Sequence, residues 1–96
     1  MRLMMVLTPS DCLSDVQTLL DEYDIHAYTE IPNVLGTGES GRKMGTRAFP
    51  GTTSMILAIV SKEEGERLVT AVKTYGEECN CCHELRIFAL PAERVF

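Results

Sequence analysis

The chain has no tryptophan and only six aromatic residues in 96. Single-stranded nucleic acid is bound on exposed rings, so that class of surface is disfavoured at the outset. Basic residues are also scarce. Nine Lys and Arg stand against fourteen Asp and Glu, for a net charge of −5. Nucleic-acid binders show the opposite balance, and no nucleic-acid partner is expected. Long apolar runs are missing as well. The longest, Met55–Val60, has six residues, whereas a membrane span needs about 20. The apolar stretch within Met1–Leu7 is too short for a secretory leader and no small-residue cleavage site follows it. A cytoplasmic protein is expected. There are two histidines, far apart in the chain. No Ser/His/Asp or Cys/His/Asn set can be assembled from them, and no carboxylate pair stands out from ordinary helix-surface acids. A non-enzymatic protein is therefore expected.

What is present fits a single small domain spanning residues 1–96. Leu3 to Leu7 is short and apolar, as in a buried strand. Thr8, Pro9 and Asp11 fit the N-cap, N1 and N3 positions of a helix over residues 9–23, whose apolar face is Leu13, Val16, Leu19, Leu20 and Tyr23. Ile25 to Val34 is predicted as a strand, with Pro32 marking an edge or a bulge. Residues 35–52 hold Pro50 and five glycines, Gly36, Gly38, Gly41, Gly45 and Gly51, and read as a loop. A loop of that length is usually functional. Thr53 to Val60 is a strand. Ser61 and Glu64 form a capping box for a second helix, with Leu68, Ala71, Val72 and Tyr75 on its apolar face and Gly76 as its C-terminal cap. Leu85 to Leu90 is the last strand.

The order βαββαβ is the ferredoxin-like plan: an α+β fold with a four-stranded antiparallel sheet and two helices on one face. The other face would be bare. Yet Met55 to Val60 is apolar on both sides of its pleat, as in strands buried on both faces. A second copy of the chain is the expected cover, so the protein should oligomerise through its sheet.

Charge is unevenly spread. Residues 36–51 carry Arg42, Lys43 and Arg47 against the single acid Glu39, a net of +2 in a chain of −5. Such an island attracts an anion or an acidic partner. Its Gly36-Thr37-Gly38-Glu39-Ser40-Gly41 is a literal G-x-G-x-x-G, but no helix follows it, and the dinucleotide-binding reading fails on context. Closely spaced glycines still allow backbone N–H groups to surround a small anion. The second cluster is Cys79-Asn80-Cys81-Cys82-His83. Thiolates beside an imidazole suit zinc or copper. The C-x-x-C of Cys79 and Cys82 also suits a redox-sensitive disulfide, and the whole tract equally suits an inert hairpin. Cys12, alone in the first helix, reads as a small core residue.

With these residues in view, the chain resembles the PII signal-transduction superfamily. Val34-Leu35-Gly36-Thr37-Gly38-Glu39-Ser40-Gly41 looks like the family's glycine motif at the base of its T-loop, and Arg86-Ile87-Phe88 resembles its Lys-Ile-Phe. His83-Glu84-Leu85 stand where the family has Gly-Asp-Gly, and residues 35–52 hold no tyrosine for modification. The resemblance implies a divergent PII-like homotrimer with its sheets facing inward. It implies a small anionic ligand, such as an adenine nucleotide or bicarbonate, held near Gly36, Gly38, Gly41, Arg42, Lys43, Arg47 and Arg86. It also implies a regulated target protein, such as a membrane transporter. The competing reading is a metal- or redox-responsive protein with Cys79, Cys81, Cys82 and His83 as its site. A small hydrolase of the acylphosphatase type ranks last, because no residue can be named to position the water.

Overall fold

The computed structural model describes residues 1–38, 41–43, 51–79 and 84–96, with the backbone alone at 38 and 41–43. Six strands and two helices follow in order: β1 (Arg2–Pro9), α1 (Leu13–Glu22), β2 (Thr29–Val34), β3 (Gly36–Gly38), β4 (Gly41–Lys43), β5 (Thr53–Val60), α2 (Lys62–Glu78) and β6 (Arg86–Pro91). The main sheet has the order β2-β5-β1-β6 with every pairing antiparallel. This is the ferredoxin-like arrangement expected from the element order.

Strand periodicity divides the sheet into two faces. Met4, Val6 and Thr8 of β1 and Ser54, Ile56, Ala58 and Val60 of β5 point to the helices and are buried. They meet Val16 and Leu20 of α1 and Leu68 and Val72 of α2 in one core cluster. At Gly65 a helix passes close to the sheet: a Cβ there would lie 3.3 Å from the Met4 sulfur. The alternate residues face the other way. Cross-strand pairing sets Ile59, Leu3 and Leu90 in one row, and Leu57, Met5 and Phe88 in the next. No helix among the described residues covers that side. Ile59 is 55% exposed, Phe88 50% and Leu90 43%. The burial of β5 on both faces, expected from its composition, is therefore not met within one chain.

Several local expectations need correcting. Thr8 does not cap α1. It stays in β1, paired with Ser54, and its hydroxyl donates to the Pro9 carbonyl at 3.1 Å. A 3-10 turn, Ser10–Cys12, then leads into α1, which starts at Leu13. The strand expected from Ile25 begins only at Thr29; Ile25 is a buried core residue before it. Pro32 lies where the β2–β5 register shifts, between Ile31 and Val34, as its missing N–H dictates. Residues 35–52 are not all loop, since β3 and β4 form a short hairpin. Gly76 does not end α2, which continues to Glu78. The Ser61–Glu64 capping box is present, with Glu64 N–H donating to Ser61 Oγ at 3.1 Å and Ser61 N–H to Glu64 Oε1 at 3.0 Å.

Candidate functional site

Four strand ends meet at one edge of the main sheet. The register sets Pro9 and Val34 beside Thr53, and Leu7 beside Arg86. Because the connections are antiparallel, the start of α1 and the end of α2 return to the same edge. The glycine-rich segment grows from it. Within that segment the β3–β4 hairpin pairs Gly36 with Lys43, Thr37 with Arg42, and Gly38 with Gly41. The backbone thus brings together five of the seven expected ligand positions: Gly36, Gly38, Gly41, Arg42 and Lys43. Arg86 opens β6 on the same edge; it is exposed, and its Nη1 donates to the Leu85 carbonyl at 2.8 Å. Arg47 lies outside the described residues.

Hydroxyl groups hold both legs of this segment. Ser54, fully buried, has its Oγ 2.9 Å from Ser10 Oγ. Ser10 Oγ is also 2.6 Å from Thr52 Oγ1, and the Ser10 N–H donates to the Thr52 carbonyl at 3.0 Å. On the other leg, the Asn33 N–H donates to Ser54 Oγ at 3.2 Å, and Asn33 Oδ1 accepts from Thr52 Oγ1 at 3.0 Å. Asn33 sits in the left-handed region at φ 55°, which asparagine tolerates better than most residues. Among the described residues no buried side-chain polar atom lacks a partner. The clamp joins Ser10 and Asn33 to Thr52 and Ser54, from three separate stretches of the chain, and sequence reading missed it. Its available signal was the hydroxyl of Ser54 at a core-facing position of an otherwise apolar strand.

Two glycines differ in what they do here. Gly51 has φ 88° and is required by the backbone. At Gly36 a Cβ would meet nothing within 4 Å among the described residues, and its φ is not in the left-handed region. Among the described residues nothing demands glycine at position 36, and the space beside its backbone is open.

The helix ends supply a second group. The Tyr75 hydroxyl of α2 donates to Asp15 Oδ2 of α1 at 2.8 Å. Its proton is held well above the ordinary tyrosine range, first by desolvation of the ring, then by the Asp15 carboxylate and the Cys79 side chain. Cys79 follows α2, half-buried, with its thiol intact. Cys12 is 2% exposed, the core position expected of it, but it is also disulfide-bonded, which was not foreseen. Its other half lies outside the described residues, as do Cys81, Cys82 and His83. Among the described residues no group of three or more His, Cys, Asp or Glu could hold a metal ion, so the metal reading gains no support. His26 is a surface residue between Asp21, at 3.0 Å, and Asp24, at 3.6 Å. A groove of about 400 Å³ lined by Arg2, Met4, Gly65, Val69 and Ala89 lies at the opposite end of the sheet. No helix among the described residues is long and apolar enough to cross a membrane.

The fold has counterparts among solved structures. CPII, a nitrogen regulatory PII-like protein from Thiomonas intermedia K12, solved with ADP, AMP and bicarbonate, superposes with a TM-score of 0.74. Identity is 21%, over 93% of this chain and 82% of that one. The apo form of the same protein gives a TM-score of 0.69 at 18% identity, over 93% and 85% of the two chains. A PII-like signaling protein from Thermus thermophilus gives 0.60 at 19% identity, over 93% and 81%. No curated protein sequence matches the chain. The family model of the nitrogen regulatory protein P-II matches residues 1–96 in full, and the chain belongs to that family.

Proposed function

We propose that the chain is a non-enzymatic, homotrimeric regulator that binds a small anion at the base of its glycine-rich segment and passes the bound state to a partner protein. The ligand class is an adenine nucleotide, bicarbonate, or both together. The observation that carries this reading is the open space at Gly36 within a hairpin whose backbone also places Arg42 and Lys43. A glycine that no described residue crowds, paired with Lys43 in a basic hairpin at the sheet end where Arg86 opens β6, suits an anion approaching the main chain. The ligands seen in CPII, ADP with AMP and bicarbonate, belong to the same chemical class. The bare apolar face of the sheet supports assembly, because exposed aliphatic and aromatic side chains in rows mark an interface.

The test is calorimetric titration with ADP, AMP and bicarbonate, singly and in combination, on the wild type and on Gly36→Val. Valine suits a strand, and a Cβ at this position meets nothing within 4 Å among the described residues, so thermal stability should not fall. Binding should weaken at least about tenfold, the worth of roughly one charge-assisted hydrogen bond. Unchanged affinity in Gly36→Val would remove this segment from the site.

A further inference from the structure

The two edges of the main sheet are finished differently. β2 carries a charged residue, Glu30, and a proline, Pro32, and its register with β5 shifts between Ile31 and Val34. Charges, prolines and bulges are the means by which an edge strand is kept from pairing with another chain. β6, at the opposite edge, has none of them between its terminal Arg86 and Pro91. It runs in unbroken register along β1, and among the described residues no strand pairs with its outer side. Backbone N–H and C=O groups at alternate residues of β6 therefore point outward.

The groove beside β6 has a matching period. Val6 and Met4 of β1 are buried beneath the helices, so their partners Ile87 and Ala89 stand on the helix side of β6. Each borders a hollow against α2. One, of about 260 Å³, takes in Ile87, Gly76, Lys73, Glu77 and Arg86. The other, of about 400 Å³, takes in Ala89, Val69, Arg2, Lys62 and Glu66. Four of the nine basic residues thus line the two hollows against two acids, in a chain of net charge −5.

We propose that the β6 edge is a docking site for an extended segment of a partner protein in which acidic and apolar residues alternate. Such a segment adds to the sheet as a further strand, its backbone bonded to the outward groups of β6. Its acidic side chains, two residues apart, stand beside Ile87 and Ala89 and reach the basic residues of the two hollows. Its apolar side chains lie on the other side, next to the exposed Phe88 and Leu90. The site is built without the anion, so it stands or falls separately from the ligand reading.

The probe is a blocked peptide, acetyl-Thr-Val-Glu-Val-Glu-Val-Thr-amide, added to the full chain without nucleotide or bicarbonate. Alternate β6 amides, those not bonded to β1, should exchange at least about tenfold more slowly with peptide bound, while β2 amides keep their rates. A peptide with Lys in place of both Glu should bind at least about tenfold more weakly. N-methylation of the Val residues and, in a second peptide, of the Glu residues removes the ladder donors. One of the two must lose at least about tenfold in affinity. Lys62→Glu changes an exposed first residue of α2, where an acid suits the helix end, so the fold should keep its stability. Its affinity for the Glu peptide should fall at least about threefold. Equal binding of the Lys peptide, equal binding of both N-methylated peptides, full affinity in Lys62→Glu, protection at β2 in place of β6, or no binding at about 1 mM would each overturn the proposal. Outward β6 amides already protected before peptide is added would overturn it too, by showing that another copy of the chain occupies the edge.

Discussion

The two faces of the main sheet are built from the same kind of residue and meet opposite fates. Met4, Val6, Ile56 and Ala58 are at most 2% exposed beneath the helices. Their neighbours in the same strands, Leu3, Met5, Leu57 and Ile59, look away from the helices and are only partly covered or exposed. Side chains alternate across a strand, so β1 and β5 supply an apolar layer to each side at once. The helices among the described residues cover one of these layers. The covered face should therefore set whether the chain folds, and the bare face whether copies associate.

The largest effect should come from the covered face. Leu68→Ala removes a fully buried side chain from the middle of α2, where it packs with Val6, Ile56 and Val72 in the core cluster. A loss of about 2–5 kcal/mol is expected in denaturant unfolding. That is a large share of the total stability of a domain of this size. A loss below about 1 kcal/mol would mean that the core lies elsewhere.

The bare face gives the second prediction. Leu57→Glu and, separately, Ile59→Glu put a charge into the exposed rows without touching the helix-side core. Each should convert the proposed trimer to monomer in light scattering while far-ultraviolet circular dichroism keeps its shape. If either variant unfolds as Leu68→Ala does, the two faces are not independent. If neither changes mass, the rows of Ile59, Leu3 and Leu90 and of Leu57, Met5 and Phe88 are not the interface.

What was legible in the sequence follows the same division between local and distant effects. The Ser61–Glu64 capping box was readable because its partners are three residues apart and both bonds close within one turn. The apolar double face of β5 was readable from period two. Thr8 misled because a hydroxyl before Pro9 looks locally like a helix cap, whereas pairing with Ser54 across the sheet keeps it in β1. Gly76 misled for a related reason. A Cβ there would lie 3.4 Å from the Leu85 side chain, so its smallness serves packing, and the helix runs past it. The glycines and charge of residues 36–51 are what mark that segment in the sequence as the place where a ligand site is proposed. The hydroxyl clamp was not legible, since Ser10, Asn33, Thr52 and Ser54 meet only once the sheet is assembled. The Cys12 disulfide was hidden in the same way: four cysteines allow several states, and only the fold selects one.

The smallest effect sharpens the comparison by weakening the covered face without touching the bare one. Ser61 and Glu64 cap α2 at the end of the molecule away from the glycine-rich segment. Glu64 is held below the ordinary carboxylate value of 4.5, chiefly by its bond from the Ser61 backbone amide and then by the Ser61 side chain. A carboxyl whose folded value is lowered binds fewer protons in the native state than in the unfolded one near that pH. Its contribution is present above about pH 4.5 and is lost as pH falls through the lowered folded value. Ser61→Ala should cost about 1 kcal/mol at neutral pH. Glu64→Gln should flatten the acid limb of the stability profile below pH 4.5 while the wild type still bends there. Neither variant should alter the mass of the assembly, because neither residue lies on the open face. A change in mass in either would show that strain in α2 is transmitted through the sheet, and the two faces would then have to be treated as one cooperative unit.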